Sequence, residues 1–330
     1  MSSDLLRVLL IGDPHVTVEE LEDCRRLLEL VDQVAVEEKP AVICFLGDQH
    51  HNHAVIRVAV LEFWAKWLLE RKSWYFPTWM LVGNHDRSHD ASVPGNTLRY
   101  ENENTKATII DRPKDSGPLR FLPWYAKPDD FVAAAGDAKV LICHQTIQGA
   151  RYENGFPAQD GVPEAAVPAH TIISGHIHTP QDFGKTWYPG APRWRIASDA
   201  NVPRHIWSVD FHPETGKVMD RRAFPTEGVC RARYHFEVRE GSDAEVPPVS
   251  DPSMVTIALH GSPEFCEQRG AFYRGFGWKV LPFPTRERRH EVRESDGVGV
   301  ALRKHVETYQ PKFGTPPDVL KKLVAERVSL

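Results

Sequence analysis

Five short clusters of aspartate, asparagine and histidine could do chemistry together. They are Gly12-Asp13-Pro14-His15, Gly47-Asp48, Gly83-Asn84-His85-Asp86, His144 after the run Val140–Cys143, and Gly175-His176-Ile177-His178. Each stands where an apolar, strand-like run gives way to a turn. In an α/β fold that position is the carboxyl edge of a sheet, where ligand sites form. Two carboxylates, an amide oxygen and several imidazoles would converge there. Such a mixed oxygen and nitrogen set suits Mn²⁺, Fe or Zn²⁺ better than Ca²⁺ or Mg²⁺. No cysteine joins a cluster, which argues against a thiolate zinc site. A lone Asp-x-His or Gly-Asp pair is usually only a turn. Five clusters in this order, at the spacing of βα units, point to a metal centre.

The elements that must position these residues alternate through the first half. Leu5–Gly12 reads as a strand, and Thr17 with Glu20 as a capping box that opens a helix running to about Glu38 before Pro40. Ala41–Leu46 is a second strand, Val55–Arg71 a helix by its apolar spacing, and Thr78–Val82 a third strand. Lys139–Cys143 and Thr171–Ser174 are two more. After Trp187 the pattern changes to short β segments, with His205–Phe211 leading into a hairpin-like turn at Glu214–Lys217. Gly241–Ser253 is rich in Pro, Asp, Glu and Ser and reads as a linker or exposed loop. Beyond it follow a strand at Val255–Leu259, a helix at Pro263–Arg274, a strand at Trp278–Leu281, and helices at Val298–Tyr309 and Pro316–Arg327.

The order of the five clusters resembles that of the calcineurin-like metallophosphoesterase superfamily over roughly residues 5–210. The resemblance implies a four-layer α/β/β/α sandwich with a small C-terminal α/β capping region. It divides the chain into a catalytic domain (1–215), a cap (216–297) and a terminal helix pair (298–330). It further implies that Asp13, His15 and His178 hold one divalent ion and Asn84, His144 and His176 a second, with Asp48 bridging them. His85 would be no ligand; it would protonate the leaving oxygen, while water acidified by the two cations attacks. Asp86 would orient His85 or a loop.

Three features are similar to one branch, the SbcD-type recombination and repair nucleases. Tyr188-Pro-Gly-Ala-Pro192 stands ten residues after the last histidine pair, as that branch's Tyr-Pro-Gly-Ser-Pro segment does. His51 follows Asp48 by three residues, where that branch has a histidine on the substrate phosphate. The chain also continues into a further α/β segment. The run Gln49-His-His-Asn-His53 departs from the branch, which usually carries one histidine there, so His50 and His53 compete for the role of His51. The implied function is an Mn²⁺-dependent DNA exo/endonuclease subunit working with an SbcC-like ATPase. The alternative is a two-metal phosphodiesterase or phosphatase acting on small nucleotides or other phosphoesters. A scaffold with a vestigial site is a third reading, and no degraded ligand motif supports it.

Composition sets the remaining expectations. The formal charge of −5 argues against a generally basic nucleic-acid coat. Residues 1–216 hold 21 Lys and Arg against 29 Asp and Glu, and the rest 19 against 16, so bound cations would offset part of an acidic excess at the clusters. Five scattered cysteines read as reduced, mostly buried thiols of a cytoplasmic protein. No run approaches the roughly 20 apolar residues of a membrane span, and Met1–Arg7 does not read as a signal peptide. Trp64 and Trp67 belong to the core or to a homodimer face. Arg286-Glu-Arg-Arg289 is an exposed charged face or a phosphate contact. The terminal helices either pack on residues 255–283 or grip the ATPase.

Overall fold

The computed structural model describes residues 5–53, 55–70, 75–88, 95–98, 107–242, 246–249, 253–285, 319 and 322. Two six-stranded sheets dominate it. The first comprises β1 (Leu6–Ile11), β2 (Val42–Phe45), β3 (Thr78–Leu81), β4 (Ala107–Ile110), β11 (His205–Phe211) and β12 (Val218–Pro225), in the order β12-β11-β1-β2-β3-β4. The second comprises β5 (Lys114–Ser116), β6 (Leu119–Leu122), β7 (Val140–His144), β8 (Thr171–Gly175), β9 (Gln181–Phe183) and β10 (Thr186–Tyr188), in the order β5-β6-β7-β8-β10-β9. Strands β1 to β4 run parallel, as do β6, β7, β8 and β10, so their carboxyl ends line one edge in each sheet.

Side-chain alternation along the strands builds the layers. In β1, Leu9 and Ile11 join a core with α1 (Leu21–Glu38) and α2 (Val58–Glu70), whereas Val8 and Leu10 point into a second core between the sheets. In β2, Ile43 and Phe45 take the helix side, and Val42 and Cys44 the inter-sheet side. Strand β7 continues the pattern. Val140 and Ile142 face the first sheet, and Leu141 and Cys143 face a third core with α3 (Pro128–Ala135). Three apolar layers between helices, sheet, sheet and helix make the expected α/β/β/α sandwich. Apolar residues alternating on both faces are what a sheet buried on both sides requires.

Two expectations are corrected here. Thr17 makes no capping hydrogen bond; Val18–Glu20 forms a 3-10 turn, and α1 starts only at Leu21. The Glu20 carboxylate meets Arg193 instead, at 3.3 Å. The boundary at 215/216 also moves. Val218–Pro225 pairs with β11 along its length, so it is an edge of the first sheet and not the start of a cap. The first compact unit comprises residues 1–235 and 247–255, and the second comprises 236–246 and 256–330.

A three-stranded sheet, most of whose residues belong to the second unit, has the order β13 (Ala232–Arg239), β14 (Ser253–Gly261), β15 (Lys279–Pro284), with α4 (Pro263–Arg274) between the parallel β14 and β15 in sequence. Helix α4 has the bounds expected from sequence. The Ser262 side chain caps it by accepting from Phe265 N–H, and Pro263 takes its first turn. The terminal helices lie outside the described residues apart from Val319 and Lys322, which are helical, and Arg286–Arg289 lies outside them altogether. Among the described residues no helix is long and apolar enough to cross a membrane. All five cysteines are free and buried.

Trp64 is fully buried and meets Phe45 edge to face at 5.4 Å, so it is core. Trp64→Ala should lower the unfolding free energy by about 3–5 kcal/mol, measured by urea denaturation. It should also leave the molecular mass in solution unchanged. A small cost with altered mass would place Trp64 in a subunit interface.

Candidate metal centre

All seven expected ligand residues leave the carboxyl ends of β1, β2, β3, β7 and β8. The loops are bound to one another rather than free. His15 N–H donates to Asp48 C=O and Val16 N–H to Gln49 C=O, both at 2.9 Å, extending the β1–β2 pairing into the site. Asp86 is fully buried and accepts from the backbone N–H of Gly83 (2.9 Å) and His50 (3.1 Å), joining the loops after β2 and β3. Asp86 thus orients a loop. His15, Asp48 and His176 have φ of 44°, 51° and 81°, the left-handed region that non-glycine residues seldom adopt and that gathers at functional sites. A Cβ on Gly47 would run into the His144 imidazole, and one on Gly83 into the Asp48 carboxylate. Gly47 and Gly83 therefore each let a donor from another strand close in.

The donor atoms form two groups. In one, His15 Nε2 lies 2.9 Å from His178 Nε2, and His178 Nε2 lies 3.7 Å from Asp13 Oδ2. In the other, Asn84 Oδ1 lies 2.9 Å from His144 Nε2 and 2.8 Å from His176 Nδ1. Asp48 spans them, with Oδ2 at 3.5 Å from His15 Nε2 and Oδ1 at 3.4 Å from His144 Nε2.

Positive charge fits this arrangement. Asp13, His15, Asp48 and His144 are almost wholly buried, and Asp13 Oδ1 and His15 Nδ1 have no hydrogen-bond partner among the described residues. Burial pushes the Asp13 carboxyl up to about 8, with the neighbouring Asp48 charge adding to it. Burial alone would lower His144, but the Asp48 and Asp13 carboxylates outweigh it and raise the ring to about 9. Protons on Asp13 and His144 thus balance a site that divalent cations would otherwise neutralise. Burial takes His176 down to about 3, which leaves its lone pair available.

The other histidines divide by contact. His50 is buried, with Nδ1 2.9 Å from Thr97 Oγ1 and 3.6 Å from Asp86 Oδ1. His53 stacks on His85 at 3.8 Å. His51 stands edge-on to His15 at 5.5 Å and stacks with His85 at 5.7 Å; burial, then Arg195, lowers it to about 4. His85 belongs to neither donor group. Its Nδ1 donates to the His51 carbonyl at 2.5 Å, and its Nε2 stands 3.9 Å from Asp48 Oδ2. Nitrogens of His15, His51 and His85 also lie within 4.8 Å of one another, so the three rings share one side of the centre.

Comparison with known proteins bears on this geometry. The model of the calcineurin-like phosphoesterase family matches residues 6–180, which hold every donor described above. The chain belongs to that family. Two viral proteins named as phosphoesterases are similar to it. Protein 078R of Invertebrate iridescent virus 3 is 27% identical over 204 residues, 56% of each chain. Protein 244L of Invertebrate iridescent virus 6 is 25% identical over 203 residues, 57% of this chain and 70% of that one. The chain therefore spans about half the length of the first. A crystal structure of Pseudomonas putida nuclease MPE matches 64% of this chain and 85% of its own, at 15% identity and a TM-score of 0.32.

Several residues that hold this phosphoesterase site were not legible as motifs. Arg193 is buried and donates to the carbonyls of Pro14 (2.8 Å) and His15 (3.3 Å), and to Asp23 (3.1 Å). Arg204, also buried, donates to the His178 carbonyl and to Asp199 Oδ1 (2.6 Å). Glu153 accepts from the His178 backbone N–H at 3.0 Å. Two arginines and a glutamate thus clamp the turns that carry His15 and His178. The Tyr188 hydroxyl, in the segment already noted, donates to Gln145 C=O and accepts from Ile147 N–H, which steadies the turn after His144. The one signal for the clamps was the position of Arg193 directly after Pro192.

The raised groups give a pH dependence. In the metal-free protein the folded pKa values of Asp13 and His144 lie above their ordinary values. The stability they contribute is full at low pH and is lost as pH rises through about 8 and about 9. Cations must displace those protons to bind. The rise in melting temperature on adding Mn²⁺ should therefore grow from about pH 6 to about pH 8. A rise that is constant or shrinks over this interval would contradict the charge balance described.

Proposed function

We propose that this phosphoesterase is a DNA nuclease. It would be an Mn²⁺-dependent exo/endonuclease subunit hydrolysing phosphodiester bonds with two cations, and acting with an SbcC-like ATPase in repair or recombination. The observation that carries the two-cation reading is the Asp48 carboxylate, which turns one oxygen to each donor group. Asp13, His15 and His178 would hold one cation and Asn84, His144 and His176 the other, with Asp48 shared. When bound, the pair acidifies the attacking water and polarises the phosphoryl oxygens.

His85 supplies a proton to the leaving oxygen. Its Nδ1 hydrogen is committed to the His51 carbonyl, so the proton it can give stands on Nε2, on the side of the donor groups. His51 lies beside it, where a phosphate oxygen would approach. The DNA reading rests on the resemblance of Gly175–His178 with Tyr188–Pro192 to the SbcD-type nucleases. The terminal helices, and a homodimer contact, would provide the subunit interfaces. The acidic balance of residues 1–216 favours a second reading, hydrolysis of a small nucleotide or other phosphoester.

The deciding assay offers linear duplex DNA, single-stranded DNA and a small phosphodiester to the Mn²⁺-loaded protein, alone and with the ATPase. The nuclease reading predicts DNA cleavage that falls steeply with salt as phosphate counterions are released. Turnover of the small ester with no DNA cleavage would establish the second reading. His85→Ala should retain both metals and slow DNA cleavage by roughly 10²–10⁴-fold. Its effect on a p-nitrophenyl phosphodiester should be much smaller, because that leaving group needs little protonation. Equal losses on both substrates, or loss of metal, would remove His85 from this role.

A further inference from the structure

Three arginines of one stretch of chain adjoin the turns of the site, and one of them is held less tightly than the others. The terminal nitrogens of Arg193 and Arg204 are taken up by carboxylates and by the backbone carbonyls they clamp. Arg195 is different. Its backbone N–H donates to Asp199 Oδ2 at 2.7 Å, which fixes its turn, yet among the described residues its guanidinium makes no hydrogen bond. The side chain is only 12% exposed, and Nε is buried without a hydrogen-bond partner among the described residues. Glu20 Oε2 stands 3.8 Å from Nε, an ion pair too long for a hydrogen bond, and that carboxylate lies closer to Arg193.

The position of this charge is informative. Arg195 is tied to both clamps: Glu20 Oε2, its ion-pair partner, also meets Arg193, which holds the His15 carbonyl, and Asp199, which takes its backbone N–H, also meets Arg204, which holds the His178 carbonyl. It therefore adds positive charge beside a centre that already gathers cations. A guanidinium has five donors in a planar fork, and holding it nearly buried without acceptors is costly. That cost is offset when an anion with several acceptor oxygens arrives, as a phosphoryl group does.

We propose that Arg195 is a substrate-binding residue that grips a non-bridging oxygen of the phosphoester, with Glu20 restraining its side chain. This deepens the phosphoesterase reading of the site and is independent of whether the ester belongs to DNA.

The test uses the full chain loaded with Mn²⁺, with inorganic phosphate and bis(p-nitrophenyl) phosphate as probes. Arg195→Ala should keep the metal content and melting temperature of the parent. Phosphate should bind roughly 10–100-fold more weakly, the worth of a charge-assisted hydrogen bond, read from competitive inhibition and from protection against thermal melting. KM for the small ester should rise more than kcat falls, and Arg195→Lys should recover part of both effects. Unchanged phosphate binding at full metal content would overturn the proposal. So would a parent protein that binds no phosphate, or a loss confined to metal content or melting temperature. If Arg195→Ala does not fold, Arg195→Lys decides, because it must weaken phosphate binding with both metals in place. A parent that hydrolyses the small ester but not DNA ends the nuclease reading and leaves this test intact.

Discussion

Two carboxylates, Asp13 and Asp48, are buried side by side among imidazoles at the meeting edge of two sheets. Leaving such charges uncompensated would cost several kcal/mol. The Asp48 carboxylate answers by facing both groups at once, one oxygen to His15 and the other to His144. Protons on Asp13 and His144 can balance the centre only in part of the pH range, and divalent cations would take their place as those protons leave. Much of the surrounding fold serves to bring these groups together despite their mutual cost.

That service is visible in the backbone. His15, Asp48 and His176 sit in left-handed conformations, which persist only where the surroundings over-determine them. The surroundings here are specific. Arg193 holds the carbonyls before and at His15, Arg204 holds that of His178, and Asp86 ties the loops after β2 and β3. Below them, three apolar layers keep the strands in register, so each turn starts from a rigid end. The same clamps are tied to Arg195 through Glu20 and Asp199.

Legibility in the sequence followed the range of the interactions. Asp13, Asp48, Asn84 and His176 could be read because each directly follows an apolar run of local character and a glycine. Strands β5 and β10 could not, since three residues such as Lys114–Ser116 or Thr186–Tyr188 carry no usable period. The capping box failed because Glu20 satisfies Arg193, 173 positions away, instead of the backbone beside it. The role of Arg193 was hidden for the same reason. Strand β12 was assigned outside the sandwich because its partly exposed residues, Val218–Pro225, lack the apolar density of a central strand.

The central claim is that one carboxylate joins two cations. Anomalous diffraction at the manganese edge, from crystals of the Mn²⁺-loaded protein, tests it most directly. The account predicts two peaks roughly 3.5–4 Å apart, one beside Asp13, His15 and His178 and one beside Asn84, His144 and His176, with Asp48 between them. A single peak, or two peaks with Asp48 bound to only one, would contradict it.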